Sequence, residues 1–213
     1  MKRHGPLVPM RDYERIFRVI DAVLASEGAR PEVACTYFAI AGAALLTKYY
    51  NKKATPVAGS AFFRVDDPSS TVLAMSEIDG DEAKSSTKAF HFWVECDGYV
   101  LDFQAPLFRE ALTQRGSLLQ LPRLMFQKPI EQMAAHFRDL RKEGEFFLVP
   151  NKALTLELYS DFSALDANRD IVEIISEWFQ RPPKSIAPKI KIANQHGQIK
   201  DVPLRSISIA GAW

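Results

Sequence analysis

Residues 89–104 read AFHFWVECDGYVLDFQ, and the turn at their centre decides how the rest is read. Asp97-Gly98 between apolar runs is a strong two-residue hairpin signal, because a type I′ turn needs positive φ at both central residues. Side chains alternate across a strand, so the turn fixes which residues share a face. Cys96 then faces Tyr99, Val94 faces Leu101 and Phe92 faces Phe103, an apolar set that reads as the buried face. The other face carries His91, Trp93, Glu95, Val100, Asp102 and Gln104. His91 lies opposite Gln104, and Asp102 lies opposite Trp93, one diagonal step from His91. Diagonal partners stand about 7–8 Å apart between Cα atoms, within reach of long side chains. An imidazole and a carboxylate can therefore meet. A three-residue loop with a bulge would separate them, but it would also break the apolar set. The plainer alternative is an ordinary polar strand face open to water.

Upstream, Tyr13, Ile16, Phe17, Ile20, Val23 and Leu24 recur at helical spacing over residues 11–27, and Gly28 ends that helix. Pro31 and Glu32 suit the first turn of a second helix, which runs through Cys35 to about Tyr50. Residues 39–44 of that helix are only Ala, Gly and Ile, small enough to let it approach a sheet closely. Residues 55–65 and 71–75 read as strands, and polar residues 76–88 as a surface loop. Residues 89–96 and 99–104 are the hairpin strands. Further on, 107–114 and 130–142 read as helices, 145–149 and 154–159 as short strands, and 167–180 as an amphipathic helix ended by Pro182-Pro183. Residues 190–193 and 198–202 pair as a last hairpin around His196-Gly197. Interspersed helices and strands after a helical pair indicate an α+β domain.

The 213 residues suit one globular domain, and 47% hydrophobic residues can fill a sizeable core. A formal net charge of +1 argues against a nucleic-acid partner, which calls for a basic excess. No apolar run reaches the roughly 18 residues that span a bilayer. Pro6, Pro9, Arg11 and Asp12 interrupt any apolar stretch after Met1-Lys2-Arg3, so a secretory signal is not expected. The expectation is a soluble cytoplasmic protein with both thiols, Cys35 and Cys96, reduced. Cys96 points away from His91, so these residues do not form a metal set, and no metal or other cofactor is expected.

Three residues carry chemistry in this pattern. A general base needs a group that fixes its tautomer and stabilises its cation, and Asp102 can do this for His91. A cationic His91 in turn lowers the pKa of a nearby thiol. Cys35 lies in the first turns of a helix, where partial positive charge favours thiolate. With a start at Pro31, however, Cys35 falls at the end of the first turn, where the dipole acts less strongly. The alternative for Cys35 is a buried structural thiol, a role that Cys96 fits better. His136, in a charged segment, reads as a solvated or interface histidine, and His4 and His196 as loop residues.

The segment CTYFAIAGAALLTKYYNKKATPVAG, residues 35–59, and the hairpin HFWVECDGYVLDF, residues 91–103, together resemble the transglutaminase-like branch of the papain-like cysteine hydrolase superfamily. There a Cys opens a small-residue helix, a His follows on a strand and an Asp sits on the next. His91, Trp93, Glu95, Gly98, Tyr99 and Asp102 match the hairpin signature by position. The resemblance covers about a third of the chain. It also extends to an uncharacterised bacterial family of unknown function grouped with papain-like folds. It implies a single papain-like α+β domain over 1–213, its catalytic helix packed on an antiparallel sheet, with an arm at 1–9 and a hairpin extension at 184–213.

The same resemblance implies a Cys35-His91-Asp102 triad acting on an amide, peptide or thioester-like bond of a small molecule or peptide. Two departures stand out. The Arg-Gly-Gly lead-in of the arylamine N-acetyltransferases is absent, and no Gln precedes Cys35 to act as an oxyanion donor. The Cys35 backbone N–H can serve as one donor, with Gln104 or Trp93 as candidates for the second. Trp93 and Tyr37 are also candidates to line a substrate groove. A catalytically inactive binding protein on the same fold is the alternative.

Overall fold

The computed structural model describes residues 5–193 and 196–213; His4 lies outside them. Helix α1 spans Met10–Ser26, and its predicted apolar stripe is fully buried. Helix α2 spans Cys35–Tyr50, apolar nearly all round and closed by Asn51 in the left-handed region at φ 53°. Strand β1 (Ala54–Asp66) is followed by β2 (Thr71–Met75), a small hairpin of β3 (Glu77–Asp79) and β4 (Glu82–Lys84), then β5 (His91–Cys96) and β6 (Tyr99–Asp102). Helix α3 (Phe108–Gln114), β7 (Leu124–Pro129) and β8 (Phe146–Pro150) come next. Helices α4 (Lys152–Ala164) and α5 (Asp166–Trp178) precede the hairpin β9 (Lys189–Ala193) and β10 (Ile199–Pro203), and β11 (Gly211–Ala212) ends the chain. The molecule is an α+β protein.

The main sheet runs β11-β7-β6-β5-β1-β2, with β8 also on β1. It is mixed rather than purely antiparallel, because β11 joins β7 in parallel. The long β1 meets β5 through its first half, β2 through its second and β8 in the middle. Gly59 lies opposite both His91 and Pro150, and a Cβ there would stand 2.1 Å from the Val149 carbonyl oxygen. Only glycine fits that crossing of three strands.

The central hairpin has the expected register. Cys96 pairs with Tyr99, Glu95 with Val100 and Val94 with Leu101, around Asp97 and Gly98 at φ 49° and 78°. One expectation fails here. Both faces are buried, not one. Phe92, Val94, Cys96, Leu101 and Phe103 join a core shared with α1, α2 and α5, while Trp93 and Val100 join a second core with Phe63, Phe108 and Phe126. Strand β6 also stops at Asp102, so Gln104 is not a ladder partner of His91.

Helix α2 packs on β1 and β5. Its small middle has the predicted use, since a Cβ on Gly42 would fall 2.3 Å from the Phe103 ring. Other local readings need correction. Residues 130–142 form two short 3-10 turns, not a helix. Phe137 stacks on Phe62 at 4.7 Å, while His136 Nε2 and Arg138 reach the carbonyls of Asp81 and Gly80. Tertiary partners override the local preference. Residues 154–159 belong to α4, not a strand, because the Asn151 side chain accepts from Leu154 N–H and caps a helix there. The 76–88 loop contains the β3–β4 hairpin, and β7, held between β6 and β11, was not foreseen.

The arm is partly integrated, with Val8 buried and its backbone bonded twice to the Gln127 amide group. The 184–213 extension also enters the larger core through Ile192, Val202 and Ile209. No helix among the described residues is long and apolar enough to cross a membrane.

Candidate active site

Cys35 is the first residue of α2. The expected continuous helix from Pro31 is broken into a 3-10 turn, Pro31–Val33, and a new start after Ala34 at φ −102° and ψ 39°. That correction places the sulfur at the helix tip, where the dipole is strongest. No side chain caps α2, so its first-turn N–H groups lack both intrahelical and capping partners.

His91 opens β5, and its Nε2 lies 2.6 Å from Asp102 Oδ2. Both residues are 1% exposed. Cys35 joins Asp102 as one of the two groups whose charge and hydrogen bonding raise the pKa of that ring. With Nε2 committed to Asp102, Nδ1 is the nitrogen left for the thiol. Burial alone pulls the imidazole pKa down. The charge and hydrogen bond of Asp102 and the contact with Cys35 outweigh that pull and raise it to about 10. Phe63 and Phe108 meet the ring edge-on, at 5.8 and 6.4 Å between centroids, and fix its plane.

Asp102 is itself held. Its Oδ1 accepts the Gln104 backbone N–H at 2.9 Å, and its carbonyl accepts the Tyr13 hydroxyl. Tyr13 is fully buried, and desolvation raises its pKa further, so it remains a donor. Sequence reading placed Tyr13 correctly in the core but gave no sign of this second role, because its position on the helix stripe is that of any core residue.

The structure thus brings Cys35, His91 and Asp102 together. The other candidates lie elsewhere. Trp93 is fully buried on the second core, and its indole N–H donates to Glu95 Oε1 at 3.1 Å, so it neither lines a groove nor serves as an oxyanion donor. The Gln104 amide donates to the Pro31 carbonyl at 2.8 Å. The Tyr37 hydroxyl donates to Asn168 Oδ1, and its ring packs edge-on against Phe162, which makes it a joint to α4 and α5. Cys96 is the enclosed thiol expected of it, and burial raises its pKa.

The chain matches, over residues 9–213, the family described as a protein of unknown function, DUF2026. The chain belongs to this family. Among solved structures it is similar to the crystal structure of genomics APC5867, at 32% identity and a TM-score of 0.86 over 100% of both chains. No curated protein matches. The likeness to the solved structure extends over the whole of both chains.

Proposed function

We propose that this DUF2026 chain is a cysteine-dependent acyl hydrolase or acyltransferase with a transglutaminase-like arrangement of the papain-like kind. The observation that carries the reading is Cys35 at the tip of α2 beside a histidine whose far nitrogen is held by a buried carboxylate. In this reading the Cys35 proton resides on His91. The thiolate forms an S–C bond to the carbonyl of an amide, peptide or thioester-like substrate. The carbonyl electron pair moves onto oxygen, toward the Cys35 N–H. As that pair returns, His91 protonates the leaving group and a thioester remains. Water or an amine then attacks it, His91 takes the proton, and the S–C bond breaks to release the acyl product and return the Cys35 thiolate. Asp102 keeps the ring oriented throughout.

The test is alkylation by iodoacetamide at pH 7 with peptide mapping. Cys35 is expected to react at least about tenfold faster than a free thiol of ordinary pKa, as a stabilised thiolate should. A rate no faster than that of free cysteine rejects the activated nucleophile.

One observation favours a second reading, a non-catalytic binding protein on the same fold. Cys35 is only 8% exposed and His91 1%, and four surface cavities of about 340–520 Å³ are lined by other residues. On that reading Cys35 resists alkylation in the folded chain and reacts only after denaturation.

A further inference from the structure

The break in the helix ahead of Cys35 is met by a side chain from outside that helix. In an uninterrupted helix from Pro31, the Cys35 N–H would donate to the Pro31 carbonyl four residues back. Here that carbonyl accepts the Ala34 N–H at 3.1 Å, in the tighter 3-10 pattern, and the Gln104 Nε2 donor at 2.8 Å. Normal α-helical bonding resumes only with the Phe38 N–H on the Ala34 carbonyl, at 3.2 Å. Gln104 is 4% exposed, and its own backbone N–H holds Asp102. One residue thus touches the lead-in to the thiol with its side chain and the carboxylate of the base pair with its backbone.

We propose that Gln104 is a positioning residue that keeps the Pro31 carbonyl away from the Cys35 N–H, leaving that N–H free to hold the oxyanion. This rests on reading Cys35 as the acyl-accepting nucleophile. The Gln104 side chain is not a direct oxyanion donor here; it acts through the backbone of 31–35. The role separates two reactions of the same sulfur. Alkylation by iodoacetamide displaces iodide and develops no oxyanion. Acylation by p-nitrophenyl acetate forms an S–C bond and a transient oxyanion, then expels p-nitrophenolate and leaves an acetyl thioester.

The experiment compares both rates in the full chain and in Gln104→Met, which removes the amide but keeps the backbone N–H on Asp102. Acylation of Cys35 is expected to fall about a hundredfold, the usual effect of losing one oxyanion donor. Alkylation and its pH profile are expected to stay within about threefold. Gln104→Leu, which also lacks the donor and keeps the backbone N–H, should behave alike. Equal losses in both reactions would mean that Gln104 only supports the base pair or the fold, and acylation at the parental rate would remove its role; either overturns the proposal. An unmodified chain that is not acylated at all removes the parent reading, and this role with it. Hydrogen exchange needs no variant. The Cys35 amide should exchange faster than the Phe38 amide, and equal protection would overturn the proposal.

Discussion

Cys96 closes β5 inside the larger core, with Phe92, Val94 and Leu101. Cys35 belongs to the same core by its packing, yet its sulfur sits at a helix tip and meets His91. Both thiols are buried. What separates them is the company of the sulfur, not its exposure. Around Cys96, burial dominates and the neutral thiol is favoured. Around Cys35 stand an uncapped helix start and the imidazole that Asp102 holds.

The contrast can be broken most forcefully at Asp102. Asp102→Ala leaves His91 buried without its carboxylate, which should cost about 3–5 kcal/mol in urea unfolding. It should also slow alkylation of Cys35 while leaving Cys96 as unreactive as before; an unchanged Cys35 rate would mean that the carboxylate does not support the thiolate. The pH dependence sharpens the same point. His91 is raised from 6.5 to about 10, so its ionic contribution is complete below about pH 6.5 and is lost as pH climbs through about 10. Unfolding free energy should fall across that window by an amount on the order of 5 kcal/mol, and Asp102→Asn should flatten the profile.

A smaller effect tests how α2 is seated. Gly42→Ala drives a methyl into the Phe103 ring and should cost about 1–3 kcal/mol. If the seating of α2 sets the position of Cys35, its alkylation slows as well. The smallest expected effect is that of Cys96→Ala, about 1 kcal/mol of stability with the Cys35 rate unchanged. A change in that rate would show that the two thiols are coupled.

The hairpin was legible because its information is local. Asp97-Gly98 and strict alternation settle the register, and the register places His91 and Asp102 on one face. The start of α2 was not legible. Pro31 and Glu32 are good first-turn residues, and the Pro31 carbonyl at the break accepts a hydrogen bond from Gln104, far along the chain. The same holds for 130–142, where contacts to Phe62, Gly80 and Asp81 replace helical bonds, and for β7, whose pairing partners β6 and β11 lie outside its own segment. Two-sided burial of the hairpin was missed because His91, Trp93, Glu95 and Asp102 look like a wet face until the second core is known to cover it. Trp93 and Tyr37 were drawn to the site by residue type, while their polar atoms are taken up by Glu95 and Asn168.

The two-residue turn at Asp97-Gly98 bears on how the centre comes together in time. It puts His91 and Asp102 only eleven positions apart on a hairpin, a unit that closes within about 1–10 µs. The sulfur must arrive from a distant helix, through slower long-range contacts. A refolding chain would therefore bring His91 to Asp102 first, and Cys35 would join them only as its helix docks.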